Sequence, residues 1–253
     1  MKLLISSHKP YWTPTDPLYL PLQVGAYGKP AFGAEWARDD TGDNISAKNA
    51  TFCELTGLYW AWKNLDADVY GLCHYRRYFG YRRIGRDKKD CILNAGQIEK
   101  LLANHDLILP RKRHYWIETR ESQYAHAHHI EDLRCLEQIL TERCPEYLEA
   151  WRWMLNTRSG HICNMFIMRK ADFDAYCSWL FGILFEVEKR LDISGYSAKD
   201  QRVFGYLGER LLDVWVRRNK KNYAEVPVIN MENQNWPKKA MTFLRRKIHG
   251  QDK

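Results

Sequence analysis

Between Asp68 and Arg83 the chain reads Asp-Val-Tyr-Gly-Leu-Cys-His-Tyr-Arg-Arg-Tyr-Phe-Gly-Tyr-Arg-Arg. His74, Arg76, Arg77, Arg82 and Arg83 crowd behind a short apolar run, interleaved with aromatic residues. A guanidinium is a planar fork of donors matched to phosphate oxygens, so two adjacent arginines beside a histidine can grip a phosphate-bearing ligand. A solvated basic loop with tyrosines as packing is the alternative. Ser7 and His8 likewise follow a short apolar run that starts at Lys2, a second case of ligand-like residues behind a strand-like segment.

The elements that must position these groups are readable from periodicity. Val69 to Cys73 and Lys2 to Ser6 read as buried strands, and ligands of open α/β sheets bind beyond the carboxyl ends of such strands. Asp16 to Pro21 reads as irregular, and residues 23 to 33 as a loop. Thr41 to Ser46 is a turn in which Asp43, Asn44 or Ser46 caps a helix running from Asn49 to Asn64, and an anion is favoured at that helix's amino end. Further helices are expected over 94–104, 122–141, 145–155, 172–191 and 198–219, and further strands over 105–110, 159–168 and 224–229.

Other polar groups carry two readings each. Asp66 and Asp68 form an Asp-x-Asp pair of the kind that holds a divalent metal against a diphosphate, but they precede their strand and read as a connection. His128 and Asp132 share a helix face as a metal pair, or serve substrate contact or capping. His161 and Asn164 stand at the polar entrance to an apolar strand. Glu209 is a carboxylate that can act as a general base, or else pairs with Arg202 or Arg210 on the helix surface. Gly205 and Gly208 leave room beside that helix.

At 253 residues, without a linker-like composition break, the chain reads as one domain over 1–235 with a basic amphipathic tail over 236–253. The tail suits an anionic membrane face through 236–249. The 39 Lys+Arg against 31 Asp+Glu give a net charge of +8, which favours anionic partners. Seven cysteines without metal or disulfide spacing, no signal-like start and no bilayer-length apolar run give a cytoplasmic expectation, with contact to the inner face of the plasma membrane. A basic, aromatic nucleic-acid-binding protein and a metal-dependent hydrolase built on His126, His128, His129 and Asp132 are the rival classes. The basic residues follow separate strand ends and do not form one stripe, so a small-ligand site is preferred and no nucleic acid is expected.

Six segments carry a resemblance: Ser7-His-Lys-Pro-Tyr-Trp12, Gly42-Asp-Asn-Ile-Ser46, Glu54-Leu-Thr-Gly-Leu-Tyr-Trp60, Gly71-Leu-Cys-His-Tyr-Arg-Arg-Tyr-Phe79, Asn164-Met-Phe-Ile-Met168 and Arg202-Val-Phe-Gly-Tyr-Leu-Gly-Glu-Arg-Leu211. Together they resemble a family of bacterial capsule, O-antigen and exopolysaccharide proteins, long catalogued as a domain of unknown function and associated with glycosyl transfer. The resemblance implies a single-domain, Rossmann-like glycosyltransferase A-type α/β fold with a mixed central sheet flanked by helices. It implies a hexosyltransferase using a nucleotide diphosphate sugar, a uridine diphosphate donor of galactose or galactofuranose being favoured, and a lipid-linked or polysaccharide acceptor. Ser7, His8, Asp43, Asn44, His74, Arg76 and Arg77 would then bind the donor. His128, His161 and Asn164 would meet sugar or acceptor, and Glu209, Asp200 or Asp132 would take the acceptor's proton. Where better-known members of that architecture carry Asp-x-Asp, this chain carries His74-Tyr-Arg-Arg77. A metal-independent reaction is therefore favoured over one using manganese or magnesium, and no organic cofactor is expected.

Overall fold

The two apolar runs that lead into ligand-like residues lie side by side. In the computed structural model, which describes residues 1–81 and 87–232, β1 (Lys2–Ser7) pairs in parallel with β2 (Tyr19–Gln23), itself bordered by the short β3 (Ala37–Arg38), and on its other side with β4 (Val69–His74). Arg82, Arg83 and the expected tail over 236–253 lie outside the described residues. The chain then adds β5 (Arg77–Phe79), β6 (Leu107–Pro110), the pair β7 (Arg113–His114) and β8 (Ser159–Gly160), β9 (Phe166–Arg169), β10 (Tyr223–Val226) and β11 (Val228–Asn230). The main sheet has the order β3-β2-β1-β4-β9-β6-β10. Only β9 runs against both of its neighbours on this path, so the carboxyl ends of β1, β4, β6 and β10 all reach one edge.

Alternation along the strands supplies two cores. Leu4, Leu22, Tyr70, Leu72 and Met168 face one side; Leu3, Ile5, Cys73, Ile108 and Ile167 face the other. The helices α1 (Asn49–Phe52), α2 (Leu55–Asn64), α3 (Ala95–Leu102), α4 (Arg120–Ala127), α5 (Ile130–Arg143), α6 (Leu148–Asn156), α7 (Lys170–Arg190) and α8 (Val203–Arg218) cover them. Ile98 and Leu102 of α3 join the second core, while α2 and α5 to α8 pack on the first. No helix among the described residues is long and apolar enough to cross a membrane.

Four departures from the expected elements matter. Tyr19–Gln23 is a strand despite Pro21, because β3 borders only Leu22 and Gln23 and leaves the proline without a partner on that side. The helix expected over 49–64 is broken at Cys53, whose φ of 53° no continuous helix accommodates. The one expected over 122–141 is broken at His128, which is extended. The strand expected over 224–229 splits at Pro227, so that β10 follows β6 while β11 turns to pair with β5.

Gly71 sits where β4 is most tightly enclosed. A Cβ there would lie 2.8 Å from Leu3 Cγ and 3.2 Å from the Phe166 carbonyl. Gly71→Ala is therefore expected to cost about 1–3 kcal/mol, seen as a lower urea midpoint with an unchanged slope.

Candidate active site

The basic segment forms a tight hairpin. His74 ends β4, Tyr75 and Arg76 make the turn, and Arg77 pairs back with His74 as β5 begins. Tyr78 and Phe79 are buried behind the turn, which fixes the arginines at the sheet edge. Beside them a cavity of about 390 Å³ opens, lined by Ser6, His8, His74, Tyr75, Arg76 and Arg77 from the sheet. Helix α1 contributes Asn49 and Ala50, and the break between α1 and α2 Cys53 and Glu54; Val24, Cys163, Arg202 and Glu209 complete the wall.

Two carboxylates therefore share this space with imidazoles and guanidiniums. Asn164 Nδ2 donates to Glu54 Oε1 at 2.8 Å and to the Gly205 carbonyl at 3.1 Å. The Cys163 backbone N–H donates to Glu209 Oε1 at 2.9 Å. His74 Nε2 lies 2.6 Å from the Cys163 carbonyl, which fixes that nitrogen as the donor, and 4.0 Å from Glu54 Oε1. One dipeptide thus holds both acids and the histidine. Cys163 and Asn164 have φ of 70° and 51°, as left-handed as Cys53. Such backbone costs on the order of 1–3 kcal/mol per residue and persists where the surroundings enforce it, often at functional sites. The two glycines of α8 make the approach possible: a Cβ on Gly205 would meet Cys53 Sγ at 3.2 Å, and one on Gly208 would meet Asn164 Oδ1 at 2.9 Å.

The charges are unevenly compensated. Arg76 reaches Glu232 at 2.9 Å and covers the Tyr75 ring. Arg202 donates from Nε to Cys53 Sγ at 3.2 Å, a weak partner for a cation. Neither Arg77 nor Arg202 enters an ion pair among the described residues. Burial pushes the Glu209 carboxyl above its ordinary range; Arg210 pulls against this and the Glu54 charge adds to it. Desolvation and then the charges of Arg76, Lys9 and Arg202 hold His8 below the usual imidazole value. Burial raises the Cys53 thiol to about 11 and the Cys163 thiol to about 12, so neither is a thiolate nucleophile at neutral pH.

Of the residues singled out in the sequence, His8, His74, Arg76, Arg77 and Glu209 line this cavity, and Asn164 stands behind it holding Glu54. The others are engaged elsewhere. Ser7 turns its hydroxyl to the Lys9 carbonyl, leaving Ser6 to line the wall. Asp43 bonds Tyr59, and Asn44 bonds Gly42 and Ser46 within the turn before α1. Asp132 is buried and accepts from the hydroxyls of Tyr124 and Tyr196. Asp200 pairs with His128 at 3.0 Å. His161 is enclosed by Asp213 and Glu225, and Asp213 also pairs with the buried Arg120. His126 bonds Glu118, whereas His129 stacks on Tyr196 and, like His128, reaches the Asp200 carboxylate, at 4.0 Å. Among the described residues no group of three or more His, Cys, Asp or Glu side chains is arranged to hold a metal. Asp66 and Asp68 precede β4, the length of that strand, about 20 Å, from the cavity. Glu54, Cys53 and the cavity-facing role of Arg202 escaped the sequence; the signal for Glu54 was a carboxylate off the apolar face of its helix.

Residues 2–221 match a protein family described as a domain of unknown function, DUF4422. The chain belongs to this family. A solved structure titled as the apo form of WbbM, a bifunctional glycosyltransferase, is 30% identical and superimposes with a TM-score of 0.84 over 92% of this chain. The DUF4422 chain spans 45% of that protein's length. The likeness establishes a mixed α/β fold of the glycosyltransferase A type, its central sheet flanked by helices. No match is found among curated proteins.

Proposed function

We propose that this chain is a hexosyltransferase of bacterial surface glycan synthesis. Its donor is a uridine diphosphate sugar, with galactose or galactofuranose favoured, and its acceptor a lipid-linked or polysaccharide glycan. The observation that carries the reading is the meeting of Arg76, Arg77, Arg202 and His8 with the Glu54 and Glu209 pair in one cavity at the carboxyl edge of β1 and β4. The 30% identity to a bifunctional glycosyltransferase supports it.

In this reading the guanidiniums take the diphosphate and stabilise the charge that develops as it leaves. Glu209, whose raised proton affinity suits a base at neutral pH, removes the acceptor hydroxyl's proton. The acceptor oxygen bonds to the anomeric carbon on the face opposite the diphosphate, the carbon–oxygen bond to phosphate breaks, and the nucleotide leaves with that electron pair, inverting the centre. The arginines supply the neutralisation that an Asp-x-Asp-bound cation supplies elsewhere, so the reaction is read as metal-independent. Asn164 acts through Glu54. Asp43, Asn44, Asp132, Asp200, His128 and His161 hold the surrounding framework. The acceptor is met at the inner face of the plasma membrane, with residues 236–249 as one contact.

A thermal-shift panel of uridine, guanosine and cytidine diphosphate sugars tests the reading, run with chelator and with manganese. A uridine diphosphate sugar at about a hundred times its Kd stabilises by about 2.7 kcal/mol, and chelation leaves most of that shift. Absence of stabilisation by every nucleotide sugar sinks the reading.

A further inference from the structure

Among the described residues, where Tyr27 and Tyr81 are exposed singly, Trp116 and Ile117 are two adjacent large apolar side chains left exposed. They are 80% and 57% exposed, although Tyr115 and Glu118 on either side of them are buried. The tip is rigidly rooted. The Ile117 N–H returns to the Tyr115 carbonyl at 2.7 Å, closing a three-residue turn, and Trp116 has a φ of 59°. A γ-turn of this hand is rare and strained, above all with a bulky residue at its centre. Below it, Tyr115 N–H bonds the Arg158 carbonyl at 2.8 Å, β7 pairs with β8, and Thr119 caps α4 by accepting from Ser122 N–H. Local strain is therefore retained where its effect is to hold a tryptophan and an isoleucine out in water.

The surroundings of the tip are basic. Arg111, Arg113, His114 and Arg158 are exposed on the segments that carry it, with Glu118, bonded to His126, and Glu121 on α4 as acidic neighbours. An amphipathic aromatic beside an aliphatic residue, on segments that carry exposed arginines, matches the interface of an anionic bilayer: the rings and aliphatic carbons enter the headgroup boundary and the guanidiniums meet phosphates. The placement has a functional side. The loop leaves the carboxyl end of β6, the same sheet edge as the cavity.

We propose that the Trp116–Ile117 tip seats this edge of the protein on an anionic phospholipid surface. That surface would present a lipid-linked acceptor to the cavity; only this last step rests on the transferase reading, and the bilayer contact stands without it.

Flotation of the full chain with vesicles tests the contact. Wild type is expected to float with phosphatidylglycerol-containing vesicles and weakly with phosphatidylcholine alone. Trp116→Ser combined with Ile117→Ser lowers the vesicle partition coefficient about tenfold, and Arg113→Gln with Arg158→Gln does so on anionic vesicles only. Both variants retain the wild-type circular dichroism spectrum and unfolding temperature, since all four side chains are exposed. Equal flotation of the Trp116/Ile117 variant and wild type overturns the proposal and moves the contact to another segment. So does absence of flotation, or a concentration-dependent dimer that the variant abolishes, which would make a second copy the occupant. Failure of nucleotide sugars to bind would leave the flotation result untouched, so the two readings fail separately.

Discussion

Arg77→Ala is expected to weaken binding of a uridine diphosphate sugar by about 10- to 100-fold, because hydrogen bonds to charged groups are worth about 1.5–3 kcal/mol each and 1.4 kcal/mol is a decade in Kd. Titration calorimetry reads this directly. Arg77 is the informative choice among the cavity's cations. Arg76 neutralises Glu232, so its removal also leaves that carboxylate without a partner. Arg202 is bonded to Cys53, whose left-handed backbone shapes the wall. Arg77 enters no ion pair among the described residues, so its loss exposes no orphaned partner and should move Tm by no more than about 2 °C. Arg77→Lys keeps the charge without the fork and falls between alanine and wild type. Tight binding by Arg77→Ala at low and at physiological salt would remove the diphosphate from this wall of the cavity.

Such a test could be framed from the sequence because the relevant cations are consecutive. An apolar run that ends in His-Tyr-Arg-Arg announces both a strand and the groups at its end, and the hairpin at Tyr75 and Arg76 only sharpens their placement. The acidic half of the cavity had no such local signal. Glu54 and Glu209 come from opposite ends of the chain, and Glu54 faces the cavity because the backbone breaks at Cys53. That break involves no glycine or proline. It goes with packing against α8, where Gly205 admits the Cys53 side chain and Arg202, just before that helix, binds its sulfur. Periodicity read one helix there because Phe52, Leu55, Tyr59 and Trp62 do keep helical spacing across the break. The same limit governs His161, which stands at a strand entrance and which the family resemblance assigned to sugar or acceptor. Its partner Asp213 lies on α8 and the balancing Arg120 on α4, a buried set that no short window contains. Strands and basic clusters are local in sequence, whereas buried charge networks are properties of the packed chain.

Glu209→Gln should lower kcat by about 10²–10⁴-fold with little change in KM for the donor, since glutamine still accepts from Cys163 N–H but cannot take a proton. The pH profile separates this role from a structural one. A base must be deprotonated to act, and burial with the Glu54 charge raises the Glu209 carboxyl. Wild-type activity therefore falls on the acid side at a pH above the ordinary carboxylate range. Glu54→Gln removes one of the charges that raise it, so the acid limb shifts to lower pH. Folding responds with the opposite sign to catalysis. The unfolded chain releases the Glu209 proton at the ordinary value, near 4.3, and the folded chain only above it. The contribution of this site to stability is thus complete below the unfolded value and is lost as pH rises through the folded one. Glu209→Gln, neutral throughout, should then unfold at a higher temperature than wild type at neutral pH, and the difference should vanish below about pH 4. An inactive variant that is also the more stable protein is the signature of a carboxylate held against its own solvation for the sake of the reaction. If Glu209→Gln keeps its activity and Glu54→Gln abolishes it, the base is Glu54, and the dipeptide Cys163-Asn164 presents the other of its two acids to the acceptor.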